Sequence, residues 1–311
     1  MITLYRSDDA GAPVLSGTAG ALITVLNACL VTGYGDQPAA GWTRPYTGTQ
    51  LAVYRPAAGT QFHLRVDDTQ AQYPVLRGYR GMTGVSAGSG PFPTLVQLSG
   101  GIRTVKSATA SGTARPWLLL ASPRAWYLWI SFNATDMGAV NPSVDLCFFG
   151  DVHSYLPGDA YAAAIIGRIN ADTAASSTLF ANALTTGAPA AGHYLASDFA
   201  QSGNAAQCAC LQSVIAASTA AGAAGSFYPD PITGGMLLER LRLVEGGTPQ
   251  KLVRGHLPGC YNPIHPVPAT HLDVLQGRGA MLGTDMLVLY KGGTEGRVVL
   301  SLNEADWYPE A

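Results

Sequence analysis

The chain has 311 residues, a formal net charge of −2, and charged side chains at only 12% of its positions, about half the roughly 25% of an ordinary soluble domain. Its length allows one large domain or two modest ones around a sizeable core. The near-neutral balance leaves no basis for electrostatic capture of nucleic acid or an acidic membrane.

A body of this mass exposes on the order of 12,000 Å², so its charges would be spread at roughly one per 320 Å². Lysine is the scarcest, at Lys106, Lys251 and Lys291 alone. Interfaces are poor in Lys and Glu and rich in Arg, so a chain that is mostly interface has this composition. A GC-rich coding bias would raise Arg equally, which leaves the low total charge as the informative figure.

The start, MITLYRSDDAG, has no basic segment followed by an apolar run, so no targeting segment is expected. The longest apolar window, residues 19–31, is too short for a bilayer span. The cysteines at 29, 147, 208, 210 and 260 are odd in number and widely spaced, which reads as free, mostly buried thiols made in a reducing cytoplasm.

In chain order, SGTAGALITVLNACLVTGYG predicts a helix. Ser16 or Thr18 can cap it, apolar residues recur at helical spacing, and Gly33 and Gly35 stop it. A loop containing GWTRPYTGT follows. Period-two strands are then expected at QLAVYR, QFHLRVDD and YPVLRGYRGM. The Gly, Ser and Pro of residues 84–101 predict a long surface loop or arm. ARPWLLLASPRAWYLWISF reads as a hairpin, with Trp126, Leu128, Ile130 and Phe132 on one face and Tyr127 and Trp129 on the other. Both faces are bulky, so both should be covered, by the fold itself or by another subunit.

DLCFFGDVHSYL and AYAAAIIGRI are expected as buried strands. Weak helices are expected in the Ala-rich run, near ADTAASSTLFANAL and QCACLQSVIAAST. Strands resume at GGMLLERLRLVEGG, KLVRGHLPGCYNP, TDMLVLYKGG and GRVVLSLN. The expected fold is mainly β to α+β: antiparallel sheet or sheets with an N-terminal helix and an Ala/Gly-rich inserted segment. Residues 1–170 and 236–311 would form the body, and 171–235 an insertion or contact arm.

Four constellations have the residue types of chemistry. HLPGCYNPIHPVPATH places His256, Cys260, His265 and His271 within sixteen residues. A zinc site wants a tight ligand pair, whereas Pro258, Pro263, Pro266 and Pro268 make this run stiff and extended. The reading favoured is a strand ending in a proline-fixed crossover. GDVHSYLPGDAY holds Asp151, His153 and Asp159. Asp151 and His153 would share a strand face, but no nucleophile motif accompanies them, so a strand end and an LPGD turn are favoured. Cys208 and Cys210 have no further ligands nearby in sequence. The glycines of GYRGMTG and GTAGAL lack the Gly-Lys-Ser/Thr ending of a phosphate loop. No catalytic, cofactor-binding or metal residue is therefore expected.

The stretches APVLSGTAGALITVLNACLVTGYG, AGWTRPYTGTQLAVYR, FHLRVDD, GPFPT, ARPWLLLASPRAWYLWI, FGDVHSYLPGDAYAAAIIGR and LVRGHLPGCYNPIHPVP occur in this order over nearly the whole chain. Together they resemble a family of virion structural proteins of tailed bacteriophages. The resemblance implies a non-enzymatic component present in several copies, in the tail or at the head–tail junction. It implies contacts with its own copies and with other tail, neck or connector proteins, and a place in the virion after assembly in the bacterial cytoplasm. It also implies that Arg254, Gly255, Pro258 and His265 shape a turn.

Two rival readings have named residues. A host-binding module of a fibre or spike would stack sugars on Trp42, Tyr46, Trp126 or Trp129. A cell-wall or capsule hydrolase would use Asp151 with Asp159 or Glu239 as acid and base.

Overall fold

The computed structural model describes residues 1–138, 143–167, 192–211, 229–246, 252–264, 269–290 and 297–308. The described chain is mostly β, in two antiparallel sheets. Its opening elements are β1 (Thr3–Arg6) and the helix α1 (Ala21–Asn27), which continues as a π-helical turn over Ala28–Thr32. Helical structure here is shorter than the sequence spacing predicts. Ser16 and Thr18 do not cap it; Gly20 stands at its N-terminus without a side-chain cap.

The smaller sheet is a meander of β2 (Thr43–Gly48), β3 (Leu51–Arg55), β4 (His63–Asp67), β5 (Val75–Met82) and β6 (Gly88–Phe92), with β7 (Ile102–Arg103) also on β5. The TRPYTG segment expected as loop is thus an edge strand. Pro45 suits it, because an edge strand leaves one row of N–H groups unpaired. Within 84–101, residues 88–92 are a strand. The loop beyond it is held by Arg77, whose guanidinium donates to the carbonyls of Pro93 (2.6 Å), Leu98 (2.8 Å) and Ser99 (2.9 Å).

The larger sheet takes β8 (Trp117–Ala121), β9 (Ala125–Ser131), β10 (Val144–Asp151), β11 (His153–Ser154), β12 (Ala163–Ile166), β13 (His193–Leu195) and β14 (Ala206–Leu211). It continues through β15 (Leu238–Glu245), β16 (Leu252–Pro263), β17 (Val274–Gln276), β18 (Asp285–Tyr290) and β19 (Arg297–Ser301), before the helical turn α2 (Glu304–Trp307). Its order is β1-β8-β9-β10-β12-β13-β14-β15-β16-β19-β18-β17.

Of the segment 171–235, residues 171–191 and 212–228 lie outside the described residues, including ADTAASSTLFANAL. The described part supplies β13 and β14, hydrogen-bonded in sequence between β12 and β15. QCACL is strand, not helix: its Cys208 and Cys210 point into one core at period two.

The large sheet has two covered faces, and the chain covers both itself. Trp117, Leu119, Trp126, Leu128, Ile130 and Phe149 pack against α1 and the inner residues of the small sheet, among them Tyr54, Leu64, Val66 and Phe92. Leu118, Leu120, Tyr127, Trp129 and Phe148 pack instead against Leu243, Leu257, Leu289 and Leu300 from the second half of the same sheet and Trp307 of α2. The sheet therefore folds over on itself. Each large side chain fully buried in this way stabilises the fold by about 1.5–3 kcal/mol.

What pins the fold-over is a short seam. β10 runs through Val152 into β11, and β11 pairs with β16 through His153↔His256 and Ser154↔Gly255. Strands β10 and β12–β16 together with β11 thus return on themselves. The seam is close because residue 255 is glycine: a methyl group there would overlap the carbonyl oxygen of His153. A Gly255→Ala variant is expected to part the seam and lose about 1–3 kcal/mol, as overpacking does. Urea unfolding would check this, and an unchanged midpoint would mean the seam does not constrain the fold.

Candidate functional site

Strand β16 holds the first half of the histidine–proline stretch, His256 to Pro263, and is a strand throughout. Arg254, Gly255 and Pro258 lie within its twelve residues and do not shape a turn. Pro258 is tolerated because residues 257–260 bulge opposite Leu241, between the pairs Arg240↔Tyr261 and Arg242↔His256. Gly259 in this bulge has φ 59°, and the Trp307 ring lies where a side chain at 259 would start. The Tyr127 hydroxyl donates to the Pro258 carbonyl at 2.7 Å, so the bulge is fastened to β9.

The ring and thiol residues of the stretch separate. His256 stands at the seam. Cys260 is buried in the fold-over core. His271 lies against Trp129, with ring centroids 4.4 Å apart, and its Nδ1 accepts the Tyr290 N–H at 3.2 Å. Burial, with smaller contributions from Arg297 and Arg6, lowers its pKa to about 4. His265 lies outside the described residues. Among the described residues no three His, Cys, Asp or Glu side chains converge as a metal site. All five cysteines are buried and unbridged.

Asp151 and His153 do not share a face, because the chain leaves β10 between them. Asp151 is buried and turns toward the small sheet. It accepts Thr60 Oγ1 at 2.6 Å and Thr60 N at 3.1 Å, and Arg124 Nε donates to it at 3.0 Å. Burial raises its carboxyl pKa, opposed by these donors. Arg124 also lies over the Tyr308 ring, 4.0 Å from its centroid. This is a joint between sheets. Asp159 is held by Ser154 Oγ at 2.7 Å and Arg254 at 3.3 Å, and Glu239 by Arg242 at 3.3 Å.

Two polar clusters result around the seam. In the first, Arg254 is buried and donates to Glu245, Asp159 and the Ser197 carbonyl (3.2 Å), which ties β16 to β15, the 156–160 turn and the end of β13. In the second, the His153 and His256 rings stack at 4.4 Å and 30°. His256 Nδ1 is 3.0 Å from the Tyr155 hydroxyl, and Arg240 reaches Nε2 at 2.6 Å. A guanidinium only donates, so Nε2 must carry the lone pair and the ring is neutral, with its proton on Nδ1. Burial, then Arg240 and His153, lower the His256 pKa to about 3. The sequence reading named His153 and His256 separately. The pairing of His153 and Tyr155 with His256 had no signal in spacing because they are 103 and 101 residues away, and Arg240, 16 residues away, meets His256 only because β15 pairs with β16.

The aromatic residues considered for sugar stacking are inside. Trp42 donates to the Ser122 carbonyl at 2.8 Å, Trp129 to that of Tyr290 at 2.9 Å, and Trp126 is fully buried. Tyr46 is half-buried with its hydroxyl on the Met82 carbonyl at 3.1 Å.

No described helix is long and apolar enough to cross a membrane. Comparison with protein-family models and with curated proteins gave no match.

Proposed function

We propose that this chain is a multi-copy structural component of a tailed-phage virion, a tail, neck, nozzle or baseplate subunit that works through subunit contacts and not through chemistry. The observation that carries the reading is a surface poor in charge from which large apolar side chains protrude: Val96 is 99% exposed, Ile232 91% and Leu282 81%. Among the described residues nine charged side chains, including Asp68, Lys106, Asp151 and Arg254, are themselves buried, which thins the surface charge further. Side chains that stand out on such a surface favour association. The ordered stretches that resemble phage virion proteins supply the particle. The carboxylates of the hydrolase reading support it too, since Asp151, Asp159 and Glu239 are each engaged by an arginine on separate elements.

Light scattering over a range of concentrations should give a discrete oligomer or growth toward rings. Val96→Asp or Leu282→Asp should shift the mass toward monomer by at least tenfold in dissociation constant, the effect of losing one interface anchor worth about 1.4 kcal/mol. A monomer at every concentration that binds glycans or whole cells would replace this reading with that of a host-surface binding module.

A further inference from the structure

We infer that the β11–β16 seam is an acid-released latch, in which a proton taken up at His256 Nε2 expels Arg240 and parts His153–Ser154 from Gly255–His256.

The geometry makes the closed state incompatible with a charged ring. Arg240 stands 2.6 Å from Nε2 as donor. A proton on that nitrogen would set two N–H groups, both on cations, against each other. His153 is stacked on the ring face, 4.4 Å between centroids, and its own protonation would add a third positive charge. Tyr155 meets Nδ1, which is already the protonated nitrogen of the neutral ring, and can relieve nothing at Nε2.

The other charges facing the seam do not compensate. From β15 come Arg240, Arg242 and Glu239, the last two paired with each other. From β16 comes Arg254, which holds Glu245 and Asp159. Glu239, Glu245 and Asp159 are thus each already engaged by an arginine. The latch is also thin, being two residue pairs long. Opening it frees the β11 end of the strand from β16.

The direction with pH follows. In the closed seam the His256 pKa lies at about 3, and in the open seam the ring returns to an ordinary value near 6.5. The group is depressed when closed, so closure is fully favoured above pH 6.5 and is lost progressively as pH falls toward 3. The opening constant then rises by up to tenfold per pH unit below 6.5.

The test is hydrogen–deuterium exchange of the full-length chain at pH 7.5 and 4.5, corrected for intrinsic exchange rates and read on peptides covering 152–156 and 252–262. The expected result is a ten- to hundredfold rise in opening at pH 4.5 confined to those peptides, with the 117–131 hairpin unchanged. His256→Gln keeps an acceptor for Arg240 that does not titrate, and should abolish the rise. Arg240→Met changes an exposed side chain and removes one of the charges that hold the closed-state pKa down, so it should shrink the rise. Equal protection of the seam at both pH values in the natural chain overturns the latch. So does a rise that persists unchanged in Arg240→Met, whether or not His256→Gln folds.

Discussion

A Lys106→Met chain is expected to be less stable than the natural one by about 3–5 kcal/mol, the range for removing one partner of a buried ion pair. Lys106 and Asp68 are both fully buried, and the ammonium bonds the Asp68 carboxylate and, at 2.6 Å, the Thr18 carbonyl. Asp68 also accepts the N–H groups of Leu22 (2.7 Å) and Ile23 (3.3 Å). It is the cap that the first turn of α1 lacks locally. Burial raises the Asp68 carboxyl pKa and lowers that of the Lys106 ammonium, each opposed by the other. With methionine at 106 the carboxylate has its helix donors but no cation. Urea unfolding measures the loss, and adding Asp68→Asn should restore a large part of it, because neither charge is then left alone. A single variant within 1 kcal/mol of the natural chain would mean the pair is not the constraint described.

Arg254→Met is expected to cost a similar amount, about 3–5 kcal/mol. Arg254 is the cation between two buried carboxylates: the side chains of Asp159 and Glu245 are 3% and 9% exposed. Their other bonds come from Ser154 Oγ and the N–H groups of Tyr161 and Phe199, which are neutral donors. Without the guanidinium two like charges remain beside each other inside the joint of four segments. Because those segments flank the seam, its protection against hydrogen exchange should fall at neutral pH as well. Arg254→Lys should recover only part of the loss, since an ammonium is a point donor and cannot replace the spread fork. Full stability in Arg254→Met would show that water reaches this cluster and solvates the carboxylates.

Much of the fold was legible in the residues. The alternation of Phe62, Leu64 and Val66, and the opposed faces of Trp126–Phe132, are local consequences of the two-residue strand repeat. They place β3, β4, β5, β8 and β9 where the sequence expects them. Local chemistry did not reveal β1 and β2. Their sequences, TLYR and TRPYTG, are short and polar, and each becomes a strand by pairing with a neighbour, β8 and β3 respectively. QCACL looked helical by composition because alanine favours helix in isolation. It is a strand because β13 and β15 supply its hydrogen bonds.

The sequence by itself determined the β-rich class, the closed thiol chemistry and the shortage of charge, because composition and the period of apolar residues are properties of the chain alone. Only the tertiary structure decided which polar groups meet. Asp68 with Lys106, Asp151 with Thr60, and His153 with His256 are separated by 38, 91 and 103 residues. Their meeting depends on how the sheet folds over, which no local pattern encodes. The tertiary structure also settled how the aromatic faces of the central hairpin are covered. Each face has a partner core of this same chain in reach, and burying apolar surface against a tethered neighbour costs no loss of freedom between separate molecules.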